Sequence, residues 1–201
     1  MIDRTDQDGP ILDVAGPGLD VSGASGAAGP VVPSTPPLAG AEPPDDSALV
    51  DRATGLFSET FFRVALESRI AAARRHLRPI AVVLIEVVEG LPSAEPTPVD
   101  AALVSATVKD TLREADTSCR LRNGYFALLL EDTPENGAIW TVERIRRSLA
   151  DAREGLTVWA GVACYPAHAF TPDEILTAAE RALIAAREWR QDRIEVAIAA
   201  D

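Results

Sequence analysis

Cysteine and histidine are nearly missing from this chain, with two of each in 201 residues. Cys119 and Cys164 stand far apart, with no C-x-x-C and no Cys/His ligand spacing around them, so buried thiols are expected. His76 and His168 are isolated from any ligand or triad partner that spacing reveals, and surface or capping roles are expected of both. No apolar run approaches the roughly 20 residues of a membrane span, and no basic-then-apolar segment opens the chain. The expectation is a cytoplasmic protein with no membrane insertion. Basic residues are outnumbered 19 to 31, for a net charge of −12. An acidic surface offers nucleic acid or anionic lipid no general attraction, so no nucleic-acid partner is expected.

What the chain does contain is unevenly spread. Residues 1–46 hold 8 of the 15 prolines and 7 of the 13 glycines, and no aromatic residue. Such a segment buries too little apolar surface to offset its ordering entropy, so it reads as a disordered acidic tail. Up to Val50 it carries −7 of the −12, which leaves −5 for the rest. A folded domain is expected over 47–201. No heptads precede it, so a monomer is consistent with the pattern, with the tail a tether or a docking segment.

From Asp51 onward, apolar periodicity is regular. Phe61, Phe62, Ala65, Leu66, Ile70 and Ala73 predict an amphipathic helix over 58–76. The β-branched run 80–88 is too continuous for a half-exposed strand and suggests one covered on both faces. Residues 89–98 read as an acidic, proline-rich loop. Ala101, Val104, Val108, Leu112 and Ala115 then mark a helix ending near Asp116.

The stretch "CRLRNGYFALLL" at 119–130 predicts a hairpin, with Asn123-Gly124 at the centre of a type I′ turn. Thr133-Pro134 sets a cap residue before a helix to about Ala150, and 156–164 reads as a strand. Thr171 and Glu174 form a capping-box pattern ahead of a helix to about Trp189. A last strand is expected over 193–198. The order from 80 to 163 is βαββαβ, a ferredoxin-like or palm α+β core with a central antiparallel hairpin, extra helices at both ends and a terminal strand. Its sheet is expected on one side and its helices on the other.

Five segments, "DRATGLF" at Asp51, "AVVLIEVV" at Ala81, "LREADTSCRLRNGYFALLL" at Leu112, "VWAGVACYP" at Val158 and "AERALIAAREWRQDR" at Ala179, resemble in order the landmarks of GGDEF domains. These are the catalytic domains of diguanylate cyclases, which condense two GTP into cyclic di-GMP. In that family the Gly-Gly-Asp-Glu-Phe signature occupies the hairpin. Here Arg122, Asn123, Gly124, Tyr125 and Phe126 stand there. Phosphoryl transfer of this kind needs Mg²⁺ on hard oxygen ligands, and two ions about 3.5–4 Å apart are held by bridging carboxylates. Tyr125 offers a phenol where the family has a metal-binding glutamate. Glu86 matches the family's first aspartate, while Val88 fills a position that is often a second acid.

The resemblance also implies that Asp100 matches a guanine-binding aspartate, although helix capping is its simpler role. Arg187 replaces a phosphate-binding lysine, and Gln191 falls where a second basic residue is expected. Together these changes imply a degenerate domain that is not an enzyme, needs no metal or other cofactor, and keeps Glu86, Asp100, Arg122, Asn123, Gly124, Tyr125 and Arg187 as vestiges. A residual cyclase would need Glu86 with an unaligned acid such as Glu131 or Asp132. Arg113-Glu114-Ala115-Asp116 has the spacing of the family's RxxD inhibitory site, so Arg113 and Asp116, with Arg144 nearby, are candidate cyclic di-GMP ligands. The plain alternative is a solvated pair at a helix end. The expected function is an inactive regulatory module, either a cyclic di-GMP receptor or a scaffold for an unidentified protein partner in bacterial signalling.

Overall fold

The computed structural model describes residues 48–90 and 97–199. The expected disordered tail and residues 91–96 of the acidic loop lie outside the described residues. The elements run β1 (Phe57–Ser58), α1 (Glu59–His76), β2 (Ile80–Glu89), β3 (Thr97–Pro98), α2 (Ala101–Thr111), β4 (Thr117–Arg120), β5 (Phe126–Glu131), α3 (Glu135–Ala152), β6 (Leu156–Tyr165), α4 (Pro172–Arg187) and β7 (Arg193–Val196). The sheet order is β1-β4-β5-β2-β6-β7, with β3 added to the end of β2. The core β4-β5-β2-β6 is the ferredoxin-like order, with β2 antiparallel to both neighbours.

Helices cover both faces of this sheet, which corrects the expected two-layer arrangement. Ile80, Val82, Leu84 and Val88 point into a core shared with α1 and α4. Ala81, Val83, Ile85 and Val87 point into a second core shared with α2 and α3. Alternate side chains of a strand face opposite ways, so a run apolar at both parities demands two covers. Each fully buried Ile or Leu here contributes roughly 1.5–3 kcal/mol relative to exposure.

Local chemistry sets the helix ends. Ser58 Oγ accepts from the Phe61 amide at 3.3 Å and starts α1. The Thr171–Glu174 capping box starts α4 as expected. Thr133, however, does not cap α3. Its hydroxyl donates to the Glu131 carbonyl at 2.7 Å, and Pro134 takes the cap position without a side-chain bond. The second helix also stops early, at Thr111 rather than near Asp116. The Asp116 carboxylate accepts from the Arg113 amide at 3.0 Å, and the Asp116 amide donates to the Arg113 carbonyl at 3.0 Å, closing a separate turn. A short acid bonding its own backbone competes with helix continuation.

Both cysteines are buried, and burial pushes each thiol pKa up to about 12. His168 is also buried, which rules out the surface alternative and leaves the capping one. Its Nδ1 accepts from the Cys164 amide at 2.8 Å, so the ring satisfies a backbone donor at the end of β6. Among the described residues, no helix is long and apolar enough to cross a membrane.

Candidate functional site

The hairpin tip is built differently from the expected type I′ turn. The Gly124 amide donates to the Leu121 carbonyl, and the Leu121 amide donates to the Tyr125 carbonyl, each at 2.9 Å. Arg122 and Asn123 thus occupy the central turn positions, and neither has positive φ, whereas Gly124 has φ 90°. This is the three-residue pattern of a type I turn followed by a glycine bulge. Asn123 Oδ1 accepts from the Tyr125 amide at 3.1 Å, so asparagine closes the loop with its side chain instead of a left-handed backbone. Arg122 and Asn123 are exposed at the tip.

Three of the sequence-selected positions converge beside this tip. Glu86 lies one residue past the β2–β5 ladder, which ends at Ile85 opposite Phe126. Arg187, the last residue of α4, places Nε 3.1 Å from Glu86 Oε2, and its Nη1 donates to the Tyr125 hydroxyl at 3.1 Å. The Glu86 side chain is 18% exposed, and the ion pair lacks hydrogen-bond geometry, so among the described residues Oε2 has no hydrogen-bond donor. Burial raises the Glu86 pKa above the usual carboxylate value, and the charge of Arg187 only partly opposes this. Val88, at the same strand parity, is buried in the core that α1 and α4 cover.

A pair of Mg²⁺ ions does not fit this donor set. Glu86 is paired with a guanidinium, a phenol stands where a second anion would be needed, and Glu59 at the tip is engaged by the Arg122 amide and Arg63. Among the described residues, no three His, Cys, Asp or Glu side chains gather in a metal-holding group. Glu131 and Asp132 do not supply the missing acid. Glu131 pairs across the ladder with Ile80, six residues back along β2 from Glu86, or about 20 Å of strand. There it pairs with Arg69, and Asp132 pairs with Arg78 at 2.5 Å.

Among the described residues, Asp100 has no hydrogen bond or ion pair to the tip. It caps α2, accepting from the Ala102 amide at 2.9 Å. Gln191 is exposed, and its backbone carbonyl accepts from the Trp159 indole at 3.2 Å. The RxxD residues lie in the α2–β4 turn rather than on a helix, with the Arg113 side chain exposed. Arg144, on α3, donates to the Thr111 carbonyl at 2.6 Å and so caps the end of α2, beside an open groove of about 420 Å³.

Two residues that sequence reasoning passed over also shape the tip. Glu59, in the first turn of α1, accepts from the Arg122 amide at 3.0 Å and pairs with Arg63. That amide bond, ahead of the opposing burial and the Arg63 contacts, lowers its pKa. Arg120 lies under the loop, its Cζ 4.1 Å from the Phe126 ring centroid. The i,i+4 spacing of Glu59 and Arg63 was a visible signal; the Arg120 stacking had none.

Residues 100–193, just under half of the chain, match the family model described as the diguanylate cyclase GGDEF domain. Among solved structures, the isolated GGDEF domain of YfiN (TpbB) from Pseudomonas aeruginosa is 26% identical, with TM-score 0.62 over 74% of this chain and 94% of that one. The coiled coil and GGDEF domain of DgcB from Caulobacter crescentus, solved with cyclic di-GMP, is 17% identical, with TM-score 0.62 over 75% and 86%. The diguanylate cyclase SiaD from P. aeruginosa, solved with its activator SiaC, is 20% identical, with TM-score 0.63 over 76% and 63%. Comparison with curated proteins gives no match.

Proposed function

We propose that this GGDEF-like domain is a catalytically inactive regulatory module, which binds cyclic di-GMP through the Arg113–Asp116 turn and does not condense GTP. The observation that carries the inactive reading is the Arg187 guanidinium seated between Glu86 and Tyr125. A fixed monovalent cation balances Glu86, the acid nearest Tyr125. Unlike a divalent metal ion, it does not coordinate an attacking hydroxyl.

The receptor reading rests on chemistry at the α2–β4 turn. The exposed Arg113 guanidinium suits guanine O6 and N7 or a phosphate, and an aspartate accepts from guanine N–H groups. The turn engages Asp116 Oδ2, which leaves Oδ1 for such a contact. Arg144 is held beside this turn by its bond to the Thr111 carbonyl, two residues before Arg113. A scaffold that binds protein instead has its own support in Trp140, which stands 68% exposed on α3. SiaD, solved with its protein activator, gives that reading a precedent in a similar fold.

Calorimetry against cyclic di-GMP, and against GTP with Mg²⁺, tests both. The receptor predicts saturable dinucleotide binding that Arg113→Ala and Asp116→Ala each weaken at least ten-fold. Arg113→Ala removes an exposed side chain and leaves the turn bonds in place, so its effect reads binding rather than folding. No dinucleotide binding favours the scaffold, and cyclic di-GMP formation from GTP overturns the inactive reading.

A further inference from the structure

β7 ends the sheet, and among the described residues no strand pairs with its outer edge. The Ala197 amide donates to the Val162 carbonyl at 2.8 Å, so Arg193, Glu195 and Ala197 turn their backbone groups toward β6. Ile194 and Val196, at the other parity, turn theirs outward to the open edge. A bare edge is a template for a further strand, and natural sheets guard against this with repelling charges, proline or a bulge. β7 has neither proline nor bulge, and its two charges, Arg193 and Glu195, are of opposite sign.

Those charges share one face of the strand. Arg193 Nε donates to Glu195 Oε1 at 2.6 Å, and the guanidinium lies 4.4 Å from the Trp189 ring centroid. Ala197, at the same parity, packs into the core that α1 and α4 cover, while Ile194 and Val196 pack on the α2–α3 side. Beside the edge, an open groove of about 370 Å³ runs between α4 and the end of β7. Ala178, Ala182, Ala185 and Ile198 line it, with Arg181 and Glu195 as its charged members, and Ile198 is 93% exposed.

We propose that a second copy of this chain pairs with this edge, β7 against β7, antiparallel about a two-fold axis at Ile194. A two-fold antiparallel pair sets one residue opposite itself, and the charges choose which. With Ile194 at the axis, its outward amide and carbonyl bond those of the other copy, and Arg193 of each strand stands opposite Glu195 of the other. Opposite charges facing across strands stabilise a pair, and like charges oppose it. An axis at Arg193 or Glu195 sets like charges face to face, and one at Val196 leaves both charges opposite alanines. The axis at Ile194 also keeps both α4 helices on one face of a continuous sheet, so the apolar groove beside each β7 closes against the other copy. The contact uses neither the Glu86 cluster nor the Arg113–Asp116 turn, so it stands apart from the function proposed above.

Sedimentation equilibrium of the full chain up to about 1 mM, with amide hydrogen exchange followed over the same concentrations, tests the proposal. The expected result is a dimer in which exchange at the outward Ile194 amide slows as the dimer fills, while exchange at Glu195, whose amide faces β6, does not change. Glu195→Arg and Arg193→Glu each set like charges opposite one another and raise the dissociation constant at least ten-fold. The double exchange Arg193→Glu/Glu195→Arg restores opposite pairs and brings association back. A chain that stays monomeric throughout that range, a dimer that leaves Ile194 exchange unchanged, or a double variant that associates no better than the single ones overturns it.

Discussion

The Arg187 guanidinium lies 3.1 Å from Glu86 and donates to the Tyr125 hydroxyl at the same distance, joining the end of α4 to β2 and to the hairpin. Its carboxylate partner is held at a cost. A folded-state pKa raised by burial means that the native chain binds this proton more tightly than the unfolded chain does. Stability therefore falls as pH rises from the ordinary glutamate value through the raised one, and the penalty is complete only above the raised value. Glu86→Gln is expected to stabilise the domain at pH 7, and the gain should vanish below about pH 4. Urea titrations of both proteins at the two pH values check this, and a variant less stable at pH 7 contradicts it.

Glu59 has the opposite sign. Its pKa is lowered first by the Arg122 amide, so its contribution is fully present above the ordinary glutamate value and is lost as pH falls through the lowered one. Glu59→Gln should destabilise at pH 7 by about 0.5–1.5 kcal/mol, the scale of one hydrogen bond, and the difference from wild type should shrink toward pH 3. Denaturation midpoints across that range measure it. A pH-independent difference would assign the effect to helix packing instead.

Gly161 is fixed by contact rather than by backbone angle. A Cβ there would stand 2.2 Å from the Ala179 carbonyl oxygen and 2.3 Å from the Leu183 amide, both main-chain atoms of α4. Gly161→Ala must push α4 off β6, which should cost about 3 kcal/mol or more. Thermal unfolding followed by circular dichroism gives the answer, and a melting temperature within two or three degrees of wild type, on the order of under 1 kcal/mol, would contradict the packing described.

His168 serves as an acceptor for the Cys164 amide within a buried site. His168→Phe keeps a ring there but strands that amide, at an expected cost of about 1–3 kcal/mol. Hydrogen exchange at Cys164 should accelerate more than at neighbouring β6 amides. Equal protection in both proteins would mean that another acceptor takes over.

The sequence carried the layers of this fold more fully than its turns. The 80–88 run, apolar at both parities, implied the two covers that α1, α4 and α2, α3 provide, whereas the βαββαβ order suggested helices on one side only. The turn at 121–125 was misread because Asn-Gly serves two hairpin geometries. Asn123 takes the side-chain bond to Tyr125, which shifts the glycine from turn centre to bulge. The second helix was read too long because Leu112 and Ala115 continue its periodicity, while Asp116 closes a competing turn that periodicity does not register. Glu86, Tyr125 and Arg187 were each legible as positions, from the resemblance. Their direct bonding was not, because it depends on where α4 ends over the sheet, and no local pattern encodes that. Arg120 was invisible for a similar reason: one arginine in a strand says nothing of what lies above it.

That Arg187 closes α4 ties electrostatics to breathing. Terminal helical turns open far more often than the rest of a domain. Each opening of that turn would withdraw the counterion from Glu86 and the donor from the Tyr125 hydroxyl together, so one helix end governs both contacts.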